Sequence, residues 1–134
     1  MPKKIIKSSK TPITGFTDKS SPSPLAQGIR WGNMLFLSGQ VAIDPETKEV
    51  ISDDIQAQTQ QTLQNLEEIL KEAGGSFANV VNMRVCLRNV DDFQKFNVTF
   101  TEFMKGEKVT RTCIGGIPHR VGVNVEIDCI AMFD

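Results

Sequence analysis

The feature that most constrains the fold is an apolar spacing that alternates along the chain between the period of a strand and that of a helix. The successive patterns are a strand in 31–43, a helix in 52–73, a strand in 81–87, a helix in 93–103, and strands in 109–115 and 121–132. Alternate residues lie on opposite faces of a strand, whereas residues three and four apart share one face of a helix. This order predicts an α+β domain in which two helices cover one face of a four- to six-stranded sheet.

The boundaries of these elements follow from local signals. Asp53 or Ser52 is expected to cap the first helix, and Gly74-Gly75 to end it. The strand in 31–43 has apolar residues on both faces, so we expect both faces to be buried. Upstream, KIIKSS predicts an edge strand, and residues 11–28 are rich in Pro, Ser, Thr and Gly. Residues 1–28 are therefore interpreted as a strand and arm of one domain that spans residues 1–134.

Two helices leave the second face of the predicted sheet uncovered. That face still carries apolar residues, and the chain has no further element to cover them. We therefore expect a partner surface, most simply a second copy of the same chain.

Composition excludes several classes of function. The 134 residues carry a formal charge of −1, which does not favour binding to a nucleic acid backbone. Three cysteines without CxxC spacing and a single histidine predict neither a disulfide framework nor a metal site. No apolar run is long enough for a membrane span, and the start lacks the apolar segment of a secretory signal. We expect an intracellular protein without metal or cofactor.

The stretch VTRTCIGGIP places Arg111 in a strand without an acidic neighbour. A guanidinium offers a planar fork of donors that suits a carboxylate or phosphate. A simple hairpin centred on Pro118-His119 would place Arg111 opposite Glu126, a candidate base, although a crossover between the strands would separate them. The alternatives are a surface ion pair for Arg111 and a solvated carboxylate for Glu126.

The sequence spacing predicts supporting or structural roles for Cys113, Gly39 and His119. Cys113 alternates onto the side of Arg111, where its backbone N–H is available and its thiol serves as a packing group. Gly39, in the strand sequence SGQ, indicates a bulge or a close backbone approach. His119 is interpreted as a loop residue.

The segments LFLSGQVAIDPETKEV, IQAQTQQTLQNLEEILKEAGGSFANVVNMRVCLRNVDDFQKFN, RTC and VEIDCIA resemble the RidA (YjgF) family. The likeness covers nearly the whole chain after residue 22. It implies a chorismate-mutase-like domain with a mixed sheet, assembled as a homotrimer with sites between subunits. It also implies a cytoplasmic protein, with mitochondria as the alternative compartment.

The same resemblance implies a hydrolase acting on C–N bonds, similar to 2-iminobutanoate/2-iminopropanoate deaminases. Such enzymes convert reactive 2-imino and enamino acids to 2-keto acids and ammonia without a cofactor. Arg111 would bind the substrate carboxylate, and Glu126 would orient or activate the attacking water. The backbone at Cys113 and at Gly39 would add contacts, and Asn97 would give a supporting hydrogen bond.

Two departures from the family pattern concern the substrate. The family's arm has a tyrosine near the substrate where this chain has Leu25, and the chain contains no tyrosine. IGGIPHRVG also replaces a valine-rich run. A larger or more apolar enamine, such as an aminomuconate-like one, is therefore an alternative substrate.

Two other functions are alternatives to the deaminase. One is a trimer that binds small carboxylates without turnover, and the other is action on RNA, which the slight negative charge disfavours.

Overall fold

A six-stranded sheet and two α-helices make up the computed structural model, which describes residues 3–11 and 23–134. The strands are β1 (Lys4–Ile6), β2 (Gly28–Trp31), β3 (Met34–Gln40), β4 (Val80–Leu87), β5 (Thr110–Gly115) and β6 (Val125–Met132). The helices are α1 (Ile55–Glu72) and α2 (Phe93–Met104). The strand order is β1-β2-β3-β6-β4-β5, and only β4 and β5 run parallel. The predicted α+β class and the mixed sheet are confirmed.

The apolar stripe predicted for the first helix packs against the sheet. Leu63, Leu66 and Ile69 are fully buried. Thr59 and Thr62 lie in the same stripe, and each hydroxyl donates to the carbonyl four residues earlier at 2.7 Å. Because these bonds satisfy the buried hydroxyls, the threonines fit the stripe without an unpaired polar atom.

The start of α1 corrects the predicted cap. Asp54, rather than Asp53 or Ser52, is the N-cap, and its carboxylate accepts from the N–H of Ala57 at 2.7 Å. The predicted cap was wrong because the helix begins at residue 55 and the cap directly precedes it. The predicted end is confirmed, since Gly74 follows the helix with a left-handed φ of 85°.

Two strand predictions need smaller corrections. The last strand begins at Val125 rather than at residue 121, since the side chain of Gln58 binds the N–H of Asn124 at 2.8 Å and holds this segment outside the ladder. In β4, the register shifts between Val80 and residue 82, so that Val81 is 45% exposed. The later positions of β4 alternate between the two faces as predicted.

The sheet order overturns the hairpin predicted between the last two strands. β4 lies between β5 and β6, so Arg111 pairs with Met83 and Glu126 pairs with Cys86. α2 connects β4 to β5, and a helical crossover joins parallel strands rather than a hairpin. Arg111 and Glu126 therefore do not lie opposite each other.

One face of the sheet packs against the helices, and no element of residues 3–11 and 23–134 covers the other. Leu35 and Leu37 of β3 are buried in the core, whereas Phe36 between them is 43% exposed. The expectation that this strand is buried on both faces is therefore wrong for the isolated chain. Val81 and Ile114 are also exposed on strands of this sheet, which fits the expected partner surface.

The N-terminal residues contain one predicted strand and one that was missed. KIIKSS forms β1 at the edge of the sheet, as predicted. β2 was not predicted, because its four residues adjoin a segment whose composition indicated an arm. Residues 12–22 of that arm lie outside the described part of the chain.

The burial of Leu66 gives a test of this packing. We expect Leu66→Ala to lower the free energy of unfolding by about 2–5 kcal/mol, because truncation leaves a cavity between helix and sheet. Urea denaturation followed by circular dichroism measures the change.

Gln64→Ala is the matched control, since Gln64 lies on the exposed face of the same helix. Its effect should stay within about 0.5 kcal/mol. Equal losses in the two variants would contradict the orientation of α1.

Candidate functional site

Arg111 is directed toward α2 on the helix-facing side of the sheet. Its guanidinium carbon lies 5.5, 5.6 and 4.8 Å from the ring centroids of Phe93, Phe96 and Phe100. One guanidinium N–H donates to Oδ1 of Asn97 at 2.8 Å. Among the ion pairs of residues 3–11 and 23–134, none includes Arg111. Its charge is thus held by aromatic rings and an amide, which attract a cation without neutralising it.

A depression of about 390 Å³ borders Arg111 at the C-terminal end of α2. Met104, Lys108 and Val109 contribute to its wall. The guanidinium is therefore reached from the surface and is not enclosed by the core.

Cys113 follows Arg111 on the same face of β5 and packs against the edge of the core. Burial raises the pKa of the Cys113 thiol, whereas the charge of Arg111 acts in the opposite direction. The thiol is accordingly protonated near neutral pH, as suits a packing group. We call Arg111, Asn97 and Cys113 the arginine half of the candidate site.

Glu126 lies on β6 and is directed to the open face of the sheet. Its side chain is 31% exposed, and Oε1 lies 3.7 Å from Nδ1 of His119. The backbone of Gly39 approaches the carboxylate so closely that a Cβ added there would lie 3.2 Å from Cδ and Oε1 of Glu126. The predicted close backbone approach at this glycine is therefore confirmed, and the group approached is a carboxylate.

Leu25 lies on a segment that is tied to the strand residue before Gly39. Ser38 donates its hydroxyl to the carbonyl of Ala26, and its N–H donates to the carbonyl of Gln27 at 2.9 Å. The Leu25 side chain is 58% exposed. We call Glu126, Gly39, Leu25 and His119 the glutamate half of the candidate site.

The structure therefore groups the predicted residues into two sets and does not unite them. Arg111 and Glu126 belong to strands separated by β4, and their side chains are directed to opposite faces. A second depression, of about 520 Å³, includes Gly39, Arg84 and Asp128. Neither depression contains both Arg111 and Glu126.

Two features of these halves were not found from the sequence. The helical spacing of Phe93, Phe96 and Phe100 was recognised, but it indicated only core packing and not a support for Arg111. His119 was interpreted as a loop residue, and no local pattern placed it beside Glu126. The first contact depends on how α2 packs beside β5, and the second on the path of the loop before β6, so neither follows from a local pattern.

The described ranges contain no cluster of three or more His, Cys, Asp or Glu residues placed to hold a metal ion. Within the same ranges, no helix is both long and apolar enough to cross a bilayer. A cytoplasmic or mitochondrial location stays a prediction.

The arrangement defines an α+β protein that presents an unneutralised arginine on one side of its sheet and a carboxylate on the other. Residues 18–133 match the family model described as Endoribonuclease L-PSP. The chain therefore belongs to this family, which is the RidA (YjgF) family that its motifs resemble.

Individual relatives support the same assignment. A RutC family protein of Pyrococcus abyssi is 36% identical, with 87% of this chain and 93% of the relative aligned. Reactive Intermediate Deaminase A, chloroplastic, of Arabidopsis thaliana is 32% identical over 81% of this chain and 58% of the relative. The crystal structure of E. coli TdcF with bound serine is 29% identical, with a TM-score of 0.86 over 98% of this chain and 99% of that chain.

The thiols give a test of the local environments. Burial, followed by the charge of Asp128, raises the pKa of Cys129 to about 12, and burial also raises the pKa values of Cys86 and Cys113. Since only a thiolate is alkylated, we expect iodoacetamide at pH 8 to leave Cys129 unmodified while the two half-buried thiols react slowly. Peptide mass spectrometry measures the three sites.

The control is the same labelling in denaturant, where all three thiols should react. Labelling of Cys129 in the folded protein as fast as in the unfolded chain would contradict its burial on the core side of β6.

Proposed function

We propose that this protein hydrolyses reactive 2-imino and enamino acids to 2-keto acids and ammonia. Its family includes a reactive intermediate deaminase that is 32% identical to this chain. The observation that carries the proposal is the charge of Arg111, which contacts an amide and phenyl rings and forms no ion pair among the described residues. A guanidinium in this state suits the carboxylate of a ligand, which it can bind through two parallel hydrogen bonds.

The active site forms between two copies of the chain, with the arginine half of one copy facing the glutamate half of the next. Within a single chain, Arg111 and Glu126 are directed to opposite faces of the sheet and cannot enclose one small ligand. The open face carries Phe36, Val81 and Ile114, which a neighbouring copy would cover. When one surface of each copy binds a different surface of the next, the copies form a ring if the rotation between them closes. The proposed ring is a homotrimer.

The two halves supply what imine hydrolysis requires. Arg111 holds the substrate carboxylate, and Glu126 of the neighbouring copy accepts a proton from water as the water oxygen attacks C2 of the protonated imine. Glu126 returns this proton to the nitrogen of the resulting carbinolamine. The C–N bond then breaks, and the hydroxyl proton leaves with the ammonia as the ketone forms.

The remaining predicted residues assist at the edges of this site. Asn97 orients Arg111 through the 2.8 Å hydrogen bond. The backbone at Cys113 lies beside the anchor, and the backbone at Gly39 lies beside the carboxylate of Glu126. Both are placed to contact a substrate that lies between the two groups.

Leu25 concerns the range of substrates. An exposed apolar side chain beside the glutamate half offers no hydroxyl to a polar substrate but does offer contact area to an apolar one. A larger enamino acid, such as an aminomuconate-like compound, is therefore included in the proposal beside small 2-imino acids.

A second candidate function is binding of small carboxylates without turnover. It is favoured by the TdcF structure with bound serine, since serine carries a carboxylate and that fold is shared. The two candidates differ in the role of Glu126, which hydrolysis needs and simple binding does not.

An assay of imine hydrolysis tests the assigned roles. An amino-acid oxidase with catalase generates 2-imino acids, and semicarbazide traps whatever remains unhydrolysed. We expect Glu126→Gln to lower kcat by about 10²- to 10⁴-fold, because it removes the base. Arg111→Gln should raise KM by about 10- to 100-fold, because it removes a charged hydrogen-bonding partner of the carboxylate.

Lys95→Gln and Glu102→Gln are matched controls, because both residues lie exposed on α2. They should keep the activity of the unmodified protein. If the unmodified protein fails to hydrolyse short, aromatic and muconate-type substrates alike, the deaminase proposal is wrong. Serine binding that depends on Arg111 but not on Glu126 would then support the second candidate.

Mixing two impaired variants, assayed at a substrate concentration below the KM of the unmodified protein, tests whether the site is shared. Arg111→Gln and Glu126→Gln, unfolded together in equal amounts and refolded, should recover about a quarter of the activity of the unmodified protein. Random assembly leaves about one contact in four with both groups intact, provided that each site takes one group from each copy.

The control is each variant refolded alone, which should show about a tenth of the unmodified activity or less at this substrate concentration. A mixed sample that is no more active than its components, although size-exclusion chromatography shows mixed oligomers, would place both groups of each site in one chain.

A further inference from the structure

We propose that His119 is a positioning residue for Glu126, and this inference rests on the proposed deaminase function. Nδ1 of His119 lies 3.7 Å from Oε1 of Glu126, and the imidazole side chain is 79% exposed. This is the only ion pair of Glu126 among the described residues. A separation of this length is compatible with a hydrogen bond that tightens once substrate is bound.

The contacts of the carboxylate are unequal. His119 approaches Oε1, and a Cβ added at Gly39 would lie 3.2 Å from Oε1 and from Cδ. Oε2 has no hydrogen-bond partner within the described part of the chain. These neighbours lie on the Oε1 side of the carboxylate, so Oε2 is the oxygen offered to the attacking water.

The segment that carries His119 is held in place. We call residues 116–124 the histidine loop; its Pro118 is buried directly before the imidazole. The fully buried amide of Gln58 donates to the carbonyl of Gly122 and accepts from the N–H of Asn124, both at 2.8 Å. These bonds anchor the C-terminal end of the loop to α1, beside the start of β6.

A second anchor fixes the same loop from the neighbouring strand. Nε of Arg88, just after β4, donates to the carbonyl of Val123 at 2.9 Å. Val123 is itself fully buried and packs with Val41 in a small second core. The backbone is therefore fixed at residues 122–124, and on the other side of the imidazole Pro118 is buried, although the imidazole itself reaches solvent.

Among the ion pairs of the described residues, His119 is the cationic partner of Glu126, and the other charged groups nearby have different contacts. Cys86 faces Glu126 across the ladder from β4, and burial, followed by Glu126, raises the pKa of its thiol. Arg84, also on β4, is engaged with Asp128 of β6 at 3.0 Å. β3 contributes no ionisable side chain, and Arg120 is the charged neighbour within the loop.

The imidazole gives the pair a dependence on pH. Imidazole is the side chain that ordinarily changes charge between about pH 5 and 8. When protonated, it places a positive charge beside the Glu126 carboxylate, which helps to hold that carboxylate in position. The proton of the attacking water still moves only between water, Glu126 and the substrate nitrogen, and for this reason His119 positions the base and does not itself react.

Kinetics over pH 5–9 test the role in the reaction. We expect His119→Gln to lower kcat about 3- to 10-fold at pH 6 without changing KM, because Arg111 binds the carboxylate independently. The difference should shrink above pH 8, where an imidazole is neutral.

Arg120→Gln is the matched control, since it removes a charge from the adjacent position of the same loop; its profile should match that of the unmodified protein. If the unmodified protein is active and His119→Gln has the same kcat at every pH, the positioning role is wrong while the deaminase proposal stands. If the unmodified protein is inactive on every substrate, both fail.

A measurement without substrate tests the pair itself. His119 is the only histidine, so its ring protons give the only imidazole signals in proton NMR. These signals should shift in Glu126→Gln relative to the unmodified protein, because the neighbouring carboxylate is removed, and Asp128→Asn should leave them nearly unchanged. Identical imidazole signals in the unmodified protein and in a folded Glu126→Gln variant would overturn the pairing whatever the activity.

Discussion

The position of β4 between β5 and β6 is the constraint on which the rest of the structure depends. It pairs Arg111 with Met83, whose side chain lies in the core, and Glu126 with Cys86 on the opposite face. Because strand residues alternate strictly between faces, no local rearrangement brings the two charged groups together. The candidate anion anchor and the candidate base are thus separated by the thickness of the sheet, and a second copy offers a way to reunite them.

Periodicity predicted the elements of this fold well because it is a local property. The stripe of α1, the phenylalanine spacing of α2 and the alternation of β6 depend only on which face each residue must bury. Strand order depends on contacts between distant segments, and the hairpin assumption ignored the helix that separates the strands ending near residues 87 and 115. A helix between two strands favours a parallel crossover, and α2 makes one between β4 and β5.

The candidate site was predictable in its charged residues and not in their surroundings. Arg111 was notable because its strand segment VTRTCIGGIP contains no acid, and in the described structure it forms no ion pair. The phenyl rings of Phe93, Phe96 and Phe100 beside it were predicted only as core residues of a helix. A phenyl group can pack in a core and contact a cation at the same time, so the spacing did not indicate the second role. No sequence pattern indicated a role for His119, because its contact with Glu126 depends on the path of the loop that precedes β6.

The electrostatic asymmetry of the two halves also indicates which ligands suit them. A protonated imino acid carries a carboxylate and a cationic C=N group on adjacent carbons. Between Arg111 and Glu126, such a ligand is attracted in one orientation, with its carboxylate toward Arg111 and its cationic C=N group toward Glu126. The electrophilic carbon then lies nearest the base. A polyanion such as RNA gains from a row of cations, whereas here a single arginine would face a carboxylate across the proposed interface. The arrangement therefore favours a small ligand with both charges over a nucleic acid backbone.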